Sequence, residues 1–193
     1  VAIYHRLQPV VWVVAARQGQ GVLVTFGKRF AALASVTALA AALAGCATQQ
    51  AMTVDAVPRV TAPAKYRNAM AVRSVAGGQQ MNILTVPGVA DEPFKAALEG
   101  SLGVNGYLAQ TGPAKYSIDA VIQNLQQPLV GLDMDVTATV TYTVSGGGKT
   151  ETYPISATAT AALSDSLIGA DRIRVANERA MKENIRKFLQ ALR

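Results

Sequence analysis

The chain has 193 residues, 50% hydrophobic and 16% charged, and its 18 Lys and Arg against 12 Asp and Glu give a net charge of +6. With one cysteine, one histidine and one tryptophan in all, it can form no internal disulfide and has too few soft ligands for a His/Cys metal cluster. Its Lys and Arg residues form no cluster interleaved with aromatics, which removes the usual footprint of a nucleic-acid-binding surface.

No methionine precedes Met52. Residues 1–21, including the apolar run Val10 to Ala16 with Trp12, are therefore expected to be gene-model overhang, with a start at Val22, Leu23 or Val24. A start at Met52 is the alternative, and it would give a cytosolic protein. Residues 22–45 have the order of a secretion signal: the cations Lys28 and Arg29, an uncharged run from Phe30 to Ala44, and small residues before Cys46. A membrane-spanning helix over Phe30 to Ala47 competes with this reading, but alanine dominates the run and contributes little transfer free energy.

Leu43-Ala44-Gly45-Cys46 resembles the lipobox of bacterial lipoproteins at all four positions. The resemblance implies cleavage between Gly45 and Cys46, a diacylglyceryl thioether on Cys46 and acylation of its new amino group. In that family an aspartate after the cysteine commonly retains the protein at the inner membrane. Ala47 stands there in this chain, which implies export to the periplasmic face of the outer membrane. Each buried methylene contributes about 0.8 kcal/mol, so two or three acyl chains suffice for stable attachment.

Cleavage would change the composition. The 148 residues from Cys46 onward fit one domain with a hydrophobic core. Losing Arg6, Arg17, Lys28 and Arg29 leaves 14 basic residues against 12 acidic ones, a net charge of +2. His5 and Trp12 are lost too, and Cys46 is expected to carry lipid, so neither an imidazole nor a free thiol remains for catalysis. The expectation is a protein that is not an enzyme and that uses no cofactor, no metal and no nucleic acid.

Residues 46–65, with Pro58 and Pro63 and no sustained periodicity, are expected to form a flexible tether before a single α+β domain over 66–193. Met70 to Ala76 is a strand candidate closed by Gly77-Gly78, which Met81 to Val86 could extend. A helix is expected from Asp91, as N-cap, to Asn105-Gly106, with Phe94, Ala97, Leu98, Ser101 and Leu102 on one face. Gly100 and Gly103 weaken it by up to about 1 kcal/mol each and suggest close packing on the sheet.

The period then changes to two. Tyr116, Ile118, Ala120 and Ile122 alternate with polar residues across Lys115 to Gln127. Met134 to Val144 places Met134, Val136, Ala138, Val140, Tyr142 and Val144 on one face and Thr137, Thr139, Thr141 and Thr143 on the other. After Gly146-Gly147-Gly148, a hairpin loop despite its passing likeness to a phosphate loop, Tyr153, Ile155, Ala157, Ala159 and Ala161 alternate with Thr152, Pro154, Ser156, Thr158 and Thr160. Pro154 points to an edge strand or a bulge. The longest helix is expected from about Ala170 to Leu192, with Ile173, Ala176, Ala180, Ile185, Phe188, Leu189 and Leu192 as its apolar stripe, a largely basic outer face, and Asn177 and Asn184 as satisfied structural amides.

The predicted architecture is thus an α+β fold of order β-α-β-β-β-α, about four largely antiparallel strands with two helices on one face. In this order, and in the patterns Phe94-x-x-Ala97-Leu98-x-x-Ser101-Leu102 and Arg172-x-Arg174-x-Ala176-x-Glu178, it resembles the periplasmic domains of LptE-like and YajG-like lipoproteins. The resemblance implies an accessory, assembly or transport role in the envelope. Thr137, Thr139, Thr141, Thr143, Ser156, Thr158 and Thr160 are the candidate partner face, for an envelope protein or for self-association, because a long uncharged ladder is poorly defended against contacts. The competing class is an envelope hydrolase or transferase using Asp133 with Asp135, or Asp165 with Asp171, as its carboxylate pair.

Overall fold

Strands form where apolar and polar residues alternate, and helices form where the apolar period lengthens to three or four. The structure, a computed structural model, describes residues 47–55, 62–79, 87–128 and 130–193. In chain order these contain α1 (Gln49–Met52), β1 (Met70–Ala76), α2 (Asp91–Val104), β2 (Tyr116–Gln126), β3 (Met134–Gly146), β4 (Lys149–Ala161) and α3 (Gly169–Ala191). The α+β class, the four-stranded sheet and the two long helices agree with the sequence pattern. The candidate strand extension over 81–86 lies outside the described residues, as do residues 1–46 with the expected signal and Cys46.

The sheet has the order β1-β2-β3-β4. β1 runs parallel to β2, because α2 carries the chain back across the sheet between them, and the two other pairs are antiparallel. The β3–β4 hairpin turns on Gly147 and Gly148, both at positive φ (59° and 75°), which glycine adopts without steric cost. At the far end of the hairpin Met134 pairs with Ala161. There the β2–β3 and β4–α3 connections lie side by side, forming what is called here the loop end of the molecule.

Both long helices cover one face of the sheet. Phe94, Ala97, Leu98 and Leu102 of α2, and Ala176, Ala180, Met181, Ile185, Phe188 and Leu189 of α3, are buried against Ile118, Ala120, Val136, Ala138, Val140 and Tyr142. Tyr142 stacks on Phe188 with ring centroids 3.9 Å apart. Its hydroxyl donates to Asn184 Oδ1 at 2.8 Å, while Asn184 Nδ2 donates to the carbonyls of Ala138 (3.0 Å) and Ile155 (2.9 Å). Asn177 donates to the Pro87 carbonyl and accepts from Gln127, both at 2.8 Å. The two asparagines are fully satisfied structural amides, as buried polar groups must be.

The basic outer face of α3 is engaged within the fold. Arg174 pairs with Glu178, Arg179 with Asp165, Lys182 with Asp55 and Arg186 with Glu183. Two of its cations also occupy carbonyls of the outer strand β4, where Arg179 donates to Thr160 (2.8 Å) and Lys187 to Ser156 (2.9 Å). Together with Pro154, which has no N–H, they blunt the β4 edge against pairing with another strand.

Three expectations need correction. Residues 47–55 do not stand off as a tether: Ala47, Met52 and Val54 are buried in the core, and Ala62 and Tyr66 are buried further along. The physical reason is that Met52 and Val54 remove apolar surface from water against α2 and α3, while polar partners receive the segment's backbone. The helix α2 is capped by Ala90 rather than Asp91; Asp91 Oδ1 instead accepts the Gly78 N–H at 2.7 Å, closing the turn after β1. Gly100 faces Thr53 of the docked segment, with a Cβ built there lying 3.4 Å from Thr53 Cγ2, so its missing side chain makes room for residues 47–55 and not for the sheet.

Candidate functional site

The predicted partner face is one continuous surface. Thr137, Thr139, Thr141 and Thr143 of β3 lie beside Thr158, Ser156, Pro154 and Thr152 of β4 in register, on the side of the sheet away from the helices. Short side chains hold one another there. The hydroxyls of Thr137 and Thr158 are 2.7 Å apart and those of Thr139 and Ser156 3.3 Å. Thr160 donates to Asp135. Arg73 and Asp119 form an exposed ion pair toward the β1 edge, so charge borders the centre of the β3–β4 ladder without entering it. An uncharged, hydroxyl-rich sheet face of this kind offers hydrogen bonds and small apolar contacts.

The proposed carboxylate pairs are not assembled into a cleft. Asp133 and Asp135 are exposed. Asp165 and Asp171 belong to different ion pairs, with Arg179 and Arg174 respectively. The Arg179 guanidinium and the Ala162 N–H hold the Asp165 carboxyl below its ordinary range.

A second cluster was hidden from sequence reasoning. At the hairpin end, an open cavity of about 190 Å³ is bounded by Lys65, Tyr66, Tyr116, Gly147, Lys149 and Glu151. Tyr66 and Tyr116 meet edge to face at 5.0 Å, with Lys65 Nζ 4.4 Å from the centre of the Tyr66 ring. Lys65 donates to the Tyr66 hydroxyl at 2.8 Å and pairs with Glu151 at 3.5 Å. Tyr153 donates to the Glu151 carboxylate. That bond, with the charge of Lys65, draws the Glu151 carboxyl below its ordinary range, while burial and the same bond raise Tyr153. Lys65, Tyr66, Glu151 and Tyr153 are therefore each other's partners in one connected polar network. Lys65 falls in the segment expected to be tether, so only the fold reveals that it belongs here.

The predicted lipidation residue, Cys46, and Gly45 lie outside the described residues, but the chain directly after them is bonded to α2 and α3. The Thr48 N–H donates to Glu178 Oε1 at 2.8 Å, the Val54 N–H donates to Ser101 Oγ at 2.8 Å, and Lys182 pairs with Asp55 at 3.1 Å. Thr48 accepts from the Ala51 N–H and so caps α1.

No family model matches the sequence, and no curated protein matches it. Among solved structures the chain is similar to a Xanthomonas campestris protein of the family model DUF330, with a TM-score of 0.49 at 10% identity over 71% of this chain and 92% of that one. It is similar to a hypothetical protein of Chlamydia trachomatis, with a TM-score of 0.48 at 12% identity over 65% of this chain and 98% of that one. A candidate lipoprotein of Caulobacter crescentus gives a TM-score of 0.38 at 17% identity, over 63% of this chain and 86% of that one.

Proposed function

We propose that this chain is a lipid-anchored lipoprotein of the cell envelope, held through Cys46 at the periplasmic face of the outer membrane, and that it works as a non-enzymatic accessory, assembly or transport partner. The observation that carries the reading is the lipobox Leu43-Ala44-Gly45-Cys46 followed at once by residues built into the domain. An anchor there positions the whole domain against the bilayer, because no free linker separates Ala47 from the core. A binding role is supported by the described side chains gathered on the domain, which make hydrogen bonds and ion pairs to one another.

The partner face is the hydroxyl ladder of β3 and β4. An envelope protein or a second copy of the chain would lie across it, guided by hydroxyl hydrogen bonds and unopposed by charge. Replacing Cys46 with serine should abolish labelling by a radioactive fatty acid and leave the precursor unprocessed. Unchanged processing and membrane fractionation would reject the anchor. For the face, the double variant Thr139→Lys and Thr158→Lys should leave the melting temperature near that of the parent and weaken recovery of a co-purifying partner or self-association; full retention of every interaction would reject the face as the docking surface.

A further inference from the structure

The loop end of the molecule carries an apolar tip. Val130 and Leu132 in the β2–β3 connection, and Leu163, Leu167 and Ile168 in the β4–α3 connection, are between 44% and 86% exposed. Scattered exposed apolar residues are ordinary, but five large aliphatic side chains on two adjoining loops form a patch that calls for an occupant. The two loops are also tied to each other. Arg172, in the first turn of α3 and only 6% exposed, donates to the Ser166 carbonyl at 2.8 Å and to the Gly131 carbonyl at 3.3 Å. A buried guanidinium with no carboxylate partner among the described residues is costly, so the fold commits a charge to fixing these loops side by side.

The direction of the N-terminal segment identifies what lies beyond that tip. The helix α3 starts at the loop end, where Gly169 abuts Met134, and runs toward the hairpin end, where Phe188 stacks on Tyr142. Thr48 is bonded at Glu178 and Asp55 at Lys182, while Gln49 reaches Ala96 and Val54 reaches Ser101. Residues 48–55 therefore run the same way as α2 and α3, with their upstream end turned to the loop end. Glu178 stands about 9 Å along the helix axis from Arg172, at about 1.5 Å per residue, and only Ala47 separates Cys46 from Thr48.

We propose that residues 130–133 and 162–168 are a second membrane contact, whose aliphatic side chains enter the same leaflet that holds the acyl chains of Cys46. The proposal rests on the lipid-anchor reading of Cys46. Leucine, isoleucine and valine at a loop tip gain from entering the acyl boundary, and the neighbouring charges are paired, Asp165 with Arg179 and Asp171 with Arg174, leaving Asp133 at the level of the head groups. Anchor and tip together fix the domain upright, with the hairpin end and its Lys65–Glu151 cavity pointing away from the bilayer and the hydroxyl face turned sideways, open to a partner.

The test uses the full-length, processed protein reconstituted in vesicles of phosphatidylethanolamine and phosphatidylglycerol. An environment-sensitive fluorophore is placed on Leu167→Cys, on Leu132→Cys, and on Lys149→Cys at the opposite end. The expected result is a blue-shifted emission and a several-fold loss of iodide quenching at positions 167 and 132, with neither change at 149. The mass of the same protein reads the acyl chains on Cys46 independently. Acylated protein whose probes at 167 and 132 remain as accessible to iodide as the probe at 149 overturns the second contact and leaves the anchor standing. Protein without acyl chains on Cys46 overturns both.

Discussion

The backbone N–H of Thr48 donates to the Glu178 carboxylate at 2.8 Å, joining positions 130 residues apart. Glu178 is 6% exposed and also pairs with Arg174 at 3.0 Å, so one buried carboxylate serves as the clasp for the segment that follows Cys46. Glu178→Ala removes that acceptor and leaves the Arg174 guanidinium short of a partner, at a cost of about 1–3 kcal/mol. Denaturant unfolding should show the loss, and limited proteolysis should cut faster within residues 47–55. Proteolysis unchanged in that segment would refute the clasp.

Gly100 predicts opposite outcomes for two substitutions. Gly100→Ala puts a methyl in ordinary contact with Thr53 Cγ2 at 3.4 Å and gains helix propensity, so stability should rise by up to about 1 kcal/mol. Gly100→Leu has no room beneath the docked segment. It should release residues 47–55, visible as faster amide exchange at Val54, whose N–H is bonded to Ser101. Equal exchange in both variants would mean that the segment does not need this gap.

Asn184 holds three partners, the buried Tyr142 and Ala138 and the partly buried Ile155. Asn184→Ala strands the Tyr142 hydroxyl in a fully buried position, where desolvation already raises its pKa, and should destabilise by about 3 kcal/mol. Adding Tyr142→Phe to that variant removes the stranded group, so the double variant should be more stable than the sum of the single losses predicts. Strict additivity in a double-mutant cycle would contradict the network.

Acid should loosen the β4–α3 connection first. Arg179 holds Asp165 below its ordinary pKa of 3.8, so the folded state favours the carboxylate more strongly than the unfolded chain does. The resulting stabilisation is complete at neutral pH and is lost as the pH falls through and below the ordinary aspartate value. The pair is largely solvated, so the effect is modest. The melting temperature should therefore fall between pH 6 and pH 3 slightly less in Asp165→Asn than in the parent; an identical fall in both would show that the pair does not contribute to acid sensitivity.

The strands and long helices were legible in the sequence because each reports its own burial. Met134, Val136, Ala138, Val140 and Tyr142 are buried at every second position, and a period of two can only be a strand with one covered face. The hydroxyl ladder followed from the same alternation, and the Gly147-Gly148 turn from the demand for positive φ. The expected lipobox Leu43-Ala44-Gly45-Cys46 is likewise a local pattern, but it lies outside the described residues.

The docking of residues 47–55 was not legible, nor were the Lys65–Glu151 cluster and the loop-end tip. A stretch such as Ala47 to Asp55 has no period, and its fate depends on a groove formed by Ser101 and Gly100 of one helix and Glu178 of another, more than 70 residues further along the chain. Arg172 reads in the sequence as one more cation of a basic helix face, and only the placement of two loops over it turns it into a buried clamp. Local alternation is fixed by the geometry of one element, so the sequence carries it alone. Contacts between elements depend on where each helix lands on the sheet, and that is decided by the packing of the whole core.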